Sequence, residues 1–63
     1  MTQLLTVTEA AKLLALSRST LYSMMERGDL AYARIGRARR IPADEIERLV
    51  RDSLVGSRNV VAS

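Results

Sequence analysis

The sequence TEAAKLL at residues 8–14 and the sequence SRSTLYSMM at residues 17–25 decide the fold of this chain. Each places apolar residues three and four positions apart, which is the periodicity of an α-helix with one buried face. In the first stretch, with the residue before it, the apolar positions are Val7, Ala10, Ala11 and Leu14. In the second they are Leu21, Met24 and Met25. We therefore expect two short helices joined by a tight turn, which is the arrangement of a helix-turn-helix.

Residues with strong capping preferences mark the expected ends of the two helices. Thr8 is predicted to be the N-cap of the first helix, and the apolar face of this helix is extended to Leu13. Ser17 is the N-cap predicted for the second helix, because its hydroxyl can accept a hydrogen bond from an amide of the first turn. Gly28 is expected to end that helix, since glycine readily adopts the left-handed conformation of a C-terminal cap. The second helix is therefore predicted over residues 18–27.

A change to alternating periodicity after the second helix predicts a β-hairpin. Residues 30–35 (LAYARI) alternate small, apolar and polar side chains and are predicted to form the first strand. Residues 36–38 (GRA) offer a turn, and residues 39–41 (RRI) are predicted to form the returning strand. Two strands alone are barely stable in water, so the hairpin is expected to pack on the helices. Ile35 and Ile41 are predicted to anchor it to the core.

Pro42 predicts where the hairpin ends and a third helix begins, because a proline in the first helical turn loses no hydrogen bond. The apolar face of this helix is expected to contain Ile46, Leu49, Val50 and Leu54. Gly56 is predicted to end the helix, so that residues 57–63 form a flexible tail beyond a single domain of residues 1–56. The predicted fold is mostly α with a small β-hairpin: a winged helix-turn-helix of three helices plus the hairpin, which is the wing.

Composition excludes several kinds of chemistry. The 63 residues include no cysteine and no histidine, so disulfide bonds, zinc fingers and imidazole chemistry are absent. Asp44, Glu45 and Glu47 lie near the start of the predicted third helix, where the positive end of the helix dipole stabilises acidic side chains. The sequence has no phosphate-binding loop and no nucleophile elbow beside them. We therefore expect no enzymatic activity, no cofactor and no metal site. No apolar stretch approaches the roughly 20 residues of a membrane span, and a cytoplasmic protein is expected.

Positive charge is concentrated in one part of the chain. The net charge is +3, but residues 17–40 contain six arginines against Glu26 and Asp29, a local net charge of +4. Residues 42–52 contain four acidic residues and two arginines, a net charge of −2. The basic part coincides with the predicted turns and exposed elements, which indicates a polyanionic partner. A helix-turn-helix beside a basic wing points to double-stranded DNA.

The polar face of the second helix is the first candidate for contacting DNA. It presents Arg18, Ser19, Thr20, Tyr22 and Ser23. Arg18 is the strongest candidate for reading a base, because arginine pairs with guanine in the major groove. Three alternatives are an ordinary solvated Arg18, serines that contact only phosphate, and a Tyr22 that packs at the rim of the core.

The wing is the second candidate, and it presents Arg34, Arg37, Arg39 and Arg40. Narrow minor grooves attract arginine, and each neutralised phosphate adds about −0.9 to the slope of log affinity against log salt concentration. The alternative is a charged hairpin that only keeps an edge strand soluble. Glu26 repels phosphate and is left out of the predicted site.

Four strings of residues form an ordered series: LTVTEAAKLL at residues 5–14, SRSTLY at residues 17–22, GDL at residues 28–30 and IGRARRIPAD at residues 35–44. Together they resemble the excisionase-type helix-turn-helix family, which is related to the MerR winged-helix domain. The resemblance implies that the second helix lies in the major groove and that the wing lies against the adjacent minor groove or the backbone. By position, it places DNA contacts on Arg18, Ser19, Thr20, Tyr22, Ser23, Arg37, Arg39 and Arg40.

Within this family the chain looks most like a phage excisionase, a recombination directionality factor. Such proteins load several copies on attachment-site DNA in a bacterial host cell and bend it, so that a tyrosine integrase excises the element. Self-association on DNA and contact with the integrase are therefore implied. The alternative is a small MerR-like transcriptional regulator. A third hypothesis is an interaction adaptor that docks on a partner through Leu54, Val55 and residues 60–61.

Overall fold

Three helices and three short strands form the fold, for which a computed structural model describes residues 2–56. In chain order they are β1 (Leu4–Leu5), α1 (Val7–Leu14), α2 (Arg18–Arg27), β2 (Ala33–Ile35), β3 (Ala38–Pro42) and α3 (Ala43–Asp52). The predicted fold of three helices plus a wing is confirmed, and the wing consists of β2 and β3. The predicted tail at residues 57–63, with the valines at residues 60–61, lies outside the described residues.

A reciprocal cap begins α1 earlier than predicted. The Glu9 amide donates to Thr6 Oγ1 at 3.0 Å, and the Thr6 amide donates to Glu9 Oε1 at 2.9 Å. Because this capping box satisfies two donors at once, Thr6 is the N-cap and the prediction of Thr8 is wrong. The prediction that Leu13 belongs to the buried face is also wrong, since its exposed fraction is 66%. Leu13 lies about 120° around the helix from the face of Val7.

The predicted limits of α2 are confirmed. Ser17 Oγ accepts a hydrogen bond from the Thr20 amide at 3.1 Å and is the N-cap. Gly28 follows the last helical residue with φ +84°, the left-handed conformation expected of a C-terminal cap. Leu21 and Met25 are buried, and Met24 is partly buried against the core. The helix therefore presents one apolar face inward, as its periodicity predicted.

The wing is closed by a two-residue turn. Ile35 pairs with Ala38, so the turn consists of Gly36 and Arg37 and not of residues 36–38 as predicted. Gly36 has φ +61°, which a glycine adopts without steric cost. Two-residue turns of this kind match the right-handed twist of the strands they join.

The two isoleucines of the wing lie on opposite faces of the hairpin. Ile41 is fully buried, as predicted, but Ile35 is 58% exposed and does not anchor the wing to the core. Side chains alternate between the faces of a strand, so Ile41 shares a face of β3 with Arg39. Ile35 pairs with Ala38, which shares the other face with Arg40. The prediction for Ile35 was wrong because the length of the turn decides which face each residue occupies.

β1 adds a third strand that the sequence analysis did not predict. The sheet order is β1-β3-β2, and Leu5 of β1 pairs with Ile41 of β3. The Ala43 amide extends this pairing by donating to the Gln3 carbonyl oxygen at 2.8 Å. β3 therefore has a hydrogen-bonded neighbour on each side, which fixes the base of the wing against the N-terminal segment.

α3 ends earlier than predicted. The helix stops at Asp52, where the Ser53 hydroxyl donates to the Leu49 carbonyl oxygen at 2.6 Å, so Gly56 is not its final residue. Ile46 is buried and Leu49 packs against the core. Two further predicted core residues are exposed, Val50 and Leu54. The end of α3 thus leaves apolar surface uncovered by the rest of residues 2–56.

A hydrogen-bonded network attaches the segment after α2 to α3. Glu45 Oε2 accepts from the Ala31 amide at 3.0 Å and from Arg48 Nη2 at 2.6 Å. Arg48 Nη2 also donates to the Asp29 carbonyl oxygen at 3.0 Å. The Arg48 guanidinium, and then the Ala31 amide, hold the pKa of Glu45 below its usual value. The segment that leads into β2 is therefore fixed at its start.

The core lies between the helices and β3. Its largest fully buried side chains are Leu21, Leu30 and Ile41, which come from α2, the following loop and β3. No polar or charged residue within residues 2–56 is buried. None of the helices in this part of the chain is long and apolar enough to cross a membrane.

Candidate nucleic-acid interface

A notch of about 300 Å³ opens between the start of α1, the first turns of α2 and the wing. Its lining consists of Thr6, Val7, Thr8, Arg18, Tyr22, Arg37, Ala38, Arg39 and Arg40. Of these lining residues four are arginines and none is acidic, and we refer to the opening as the arginine notch. A cleft lined by charge of one sign concentrates ions of the opposite sign.

The structure places the predicted site residues in two groups. The residues that line the arginine notch are Arg18, Tyr22, Arg37, Arg39 and Arg40. Those that lie outside it are Ser19, Thr20, Ser23 and Arg34. The Thr20 hydroxyl is 2.9 Å from Ser17 Oγ, so the cap of α2 engages it. Arg34 Nη2 donates to the Tyr32 hydroxyl at 3.5 Å, and this contact raises the pKa of Arg34.

The start of α1 contributes lining residues that the sequence analysis missed, namely Thr6, Val7 and Thr8. The first amides of a helix have no acceptor within the helix and lie at the positive end of its dipole. Thr6 Oγ1 accepts a hydrogen bond from the Glu9 amide. The amides of Val7 and Thr8 come before the Glu9 amide in the first turn of the helix. The threonine and glutamate three residues apart were the sequence signal for this helix start.

Arg39 lies against two tyrosine rings. Its guanidinium carbon is 5.2 Å from the ring centroid of Tyr22 and 4.9 Å from that of Tyr32. The guanidinium carbon of Arg18 lies 5.9 Å from the Tyr22 centroid. These four side chains alternate between arginine and tyrosine from α2 through β3 to the residue before β2, and we call them the stacked ladder. All three distances are within the range of cation–π interactions.

Arg37 and Arg40 have different surroundings from Arg39. Arg37 is exposed in the turn of the wing, and Arg40 is partly buried. Arg40 Nη1 donates to the Arg39 carbonyl oxygen at 2.9 Å. Neither side chain forms an ion pair with a carboxylate of residues 2–56. Their charges are therefore available to an external anion.

Acidic side chains approach the notch at two points. Glu9 Oε1 accepts a hydrogen bond from the amide of Thr6, a lining residue, at 2.9 Å. Glu26 Oε2 lies 3.4 Å from Arg39 Nη2, and the Glu26 side chain is otherwise largely exposed on α2. In the part of the chain that the structure describes, no group of three or more His, Cys, Asp or Glu residues is arranged to hold a metal ion. Four arginines at the notch outnumber these two carboxylates, so its net charge is positive.

Comparison with protein families agrees with this arrangement of helices. A family model described as "Helix-turn-helix domain" matches residues 4–53. The chain belongs to this helix-turn-helix family. The match includes the three helices and the three strands, from β1 to the end of α3. The first helix and the second helix of the motif are α1 and α2.

Several known proteins are similar to this helix-turn-helix domain. One named "Probable excisionase", from Saccharopolyspora erythraea, is 50% identical over 44 residues, which are 70% of this chain and 45% of the relative. The chain thus spans less than half the length of that relative. Proteins named "Putative DNA-binding protein", from two strains of Mycobacterium tuberculosis, are 38% identical over 52 residues, 82% of this chain and 67% of each relative. No solved structure matches the chain.

These relatives confirm the resemblance to excisionase-type helix-turn-helix proteins. In helix-turn-helix domains that bind DNA, the N-terminal residues of the second helix contact base edges in the major groove. Arg18 is the first residue of α2 and also lines the arginine notch. The notch therefore lies beside the part of the motif that meets DNA in this class of domain.

Proposed function

We propose that the protein binds double-stranded DNA, with α2 in the major groove and the wing against the adjacent minor groove or the sugar-phosphate backbone. The arginine notch is the observation that carries this proposal. Residues from α2, from the wing and from the start of α1 line it together. Three structural elements thus offer donors and positive charge to one anion.

A backbone phosphate is the anion that this notch suits best. Arg37 and Arg40 place positive charge and N–H donors at the notch, and a phosphate is attracted by that charge. The start of α1 adds amides without intrahelical acceptors, and helix N-termini commonly bind phosphate. Because neither arginine is paired with a carboxylate of residues 2–56, binding does not first require an internal ion pair to break.

Base contacts are assigned to the exposed face of α2. Arg18 is positioned to reach guanine from the first turn, and Ser19 and Ser23 are exposed further along the same helix. Thr20 contributes less, because its hydroxyl is engaged by the cap. Small hydroxyl side chains give modest discrimination between bases, so most of the affinity is assigned to phosphate contacts.

We further propose that DNA binding serves excision of an integrated element. Several copies would bind side by side on attachment-site DNA and bend it, and a tyrosine integrase would then act in the direction of excision. The support is the 50% identity to a relative named "Probable excisionase". A small MerR-like transcriptional regulator is the second candidate, because relatives matching more of the chain are named only for DNA binding.

Fluorescence anisotropy with a mixed-sequence DNA duplex, repeated across a range of salt concentrations, tests the first proposal. Four to eight phosphate contacts predict a slope of log affinity against log salt of about −4 to −7. The measurement should use the full chain, because the residues beyond 56 are part of the protein. Absence of binding, or binding that does not depend on salt, would contradict the proposal.

Gel mobility on circularly permuted attachment-site fragments tests the second proposal. Excisionase function predicts several successively shifted species and a mobility that depends on the position of the site. A single dimeric complex on an inverted repeat, with mobility independent of position, would favour the regulator. Sedimentation of the free protein adds a control, since a stable dimer in solution also favours the regulator.

A further inference from the structure

We propose that Arg39 is a positioning residue, which holds the wing against α2, and not one of the arginines that contact phosphate. This role rests on the proposed DNA binding, because the wing is the element that Arg39 positions for DNA. The stacking itself is a property of the free protein and can be measured without DNA.

The surroundings of the Arg39 guanidinium leave little of it available to a ligand. Its two ring contacts, at 5.2 Å to Tyr22 and 4.9 Å to Tyr32, place against it one aromatic side chain from α2 and one from the residue before β2. The side chain is 23% exposed, and Nη2 lies 3.4 Å from Glu26 Oε2. Nη1 is buried and has no hydrogen-bond acceptor within residues 2–56.

A buried guanidinium nitrogen without an acceptor is explained by the rings beside it. The face of an aromatic ring carries partial negative charge and attracts a cation placed over it. The stacked ladder therefore supplies Arg39 with partners that replace the missing acceptor. A phosphate would have to displace these contacts, whereas it could reach Arg37 in the exposed turn without displacing any.

Arg39 also occupies the strand best suited to this role. β3 is the central strand, and Ile41, which shares a face with Arg39, is fully buried. The stacked ladder joins this fixed strand to Tyr22 of α2. It therefore holds the wing at one angle to α2, and that angle sets the spacing between contacts in the two grooves.

The ladder predicts that lysine cannot replace Arg39. A lysine keeps the charge but has no planar group to lie against the two rings. The matched control is Arg37, where a contact based on charge should tolerate lysine. The variants are therefore R39K and R39Q, compared with R37K and R37Q. Tyr32→Leu removes the other end of the ladder without changing the charge. It tests the positioning role if the Arg39 variants do not fold.

Two measurements on these full-length variants test the proposal. In the free protein, amide hydrogen exchange across β2 and β3 should accelerate in R39K, R39Q and Tyr32→Leu, and remain at the wild-type rate in R37K and R37Q. With a mixed-sequence DNA duplex, R39K should lose about tenfold in affinity, close to R39Q, while R37K stays within about threefold of wild type.

An R39K variant with wild-type affinity and wild-type exchange in the wing would overturn the positioning role. Unchanged exchange in Tyr32→Leu would do the same. If the wild-type protein binds no DNA, the proposed function fails, and the exchange measurement still decides whether the ladder holds the wing.

Discussion

The arginine notch and α3 both contain arginines, but the partners of these arginines differ. On α3, Arg48 donates to Glu45 at 2.6 Å and to Asp52 at 2.9 Å. In the notch, Arg18, Arg37 and Arg40 have no carboxylate partner within residues 2–56. The charge of Arg48 is therefore satisfied internally, whereas the charges of these three arginines at the notch are not paired within residues 2–56. The distribution of carboxylates, more than the number of arginines, separates a binding surface from a structural one.

The largest effect expected from this comparison is on DNA affinity. Arg37→Ala with Arg40→Ala removes two charges from the notch and should lower affinity about 30-fold and weaken the salt slope by about 1.8. The control is Arg27→Ala with Arg51→Ala, which removes the same charge outside the notch. Anisotropy titrations with a DNA duplex measure both. Equal losses in the two double variants would show that affinity follows net charge and not the notch.

A smaller effect, on sequence preference, is expected at Arg18. Arg18→Ala should lower affinity about tenfold for the preferred site and much less for mixed-sequence DNA, because a contact to a base edge matters only where that base is present. Arg18→Lys retains the charge and provides the control. Competition binding between the two kinds of duplex measures the preference. A uniform loss on both duplexes would assign Arg18 to phosphate.

On the α3 side, Glu45→Gln should affect stability and leave DNA affinity unchanged. Because the pKa of Glu45 is lowered in the folded protein, its carboxylate stabilises the fold above the unfolded pKa of about 4.3. This contribution is lost as the pH falls through the lower, folded pKa. Urea denaturation should show a loss of about 1 kcal/mol near neutral pH and a vanishing difference in strong acid. A loss that does not change with pH would contradict this assignment.

The smallest effect is expected at Ile35. Because its side chain is 58% exposed, Ile35→Ala should change the free energy of unfolding by less than about 0.5 kcal/mol. Ile41→Val is the control, and although it removes only one methylene it should cost about 1 kcal/mol. Thermal and urea denaturation compare the two. An Ile35 variant that costs more than the Ile41 variant would mean that the wing packs on its other face.

Features set by neighbouring residues were predictable from the sequence. Ser17 and Gly28 limit α2 because capping depends on the local chain, and the buried face of α2 follows from helical periodicity. Thr6 shows how such a signal can be misassigned, since Thr6 and Thr8 lie close together at the start of α1 and only Thr6 has a glutamate three residues later. The five predicted residues that line the notch were likewise identified from charge and position in the motif.

Features that depend on contacts between distant segments were not predictable in the same way. The pairing of Leu5 with Ile41 makes β3 a central strand, but a two-residue strand has too little periodicity to be recognised. Arg39 looked equivalent to Arg37 and Arg40, because nothing local shows that Tyr22 of α2 and Tyr32, just before β2, come against it. The environment of an arginine in this domain depends on tertiary packing, and composition alone does not supply it.

Because side chains alternate between the two faces of β3, the number and place of inserted residues decide which face each side chain of the wing occupies. One residue inserted between Arg40 and the buried Ile41 would turn Arg39 to the opposite face and bring Arg40 into its place, whereas two inserted residues would keep Arg39 on its face. Insertions at Gly36 and Arg37 are free of this constraint, because the pairing of β3 with β1 continues to define the faces of β3. Wings of different lengths are therefore compatible with one interface, provided that the added residues enter at the tip.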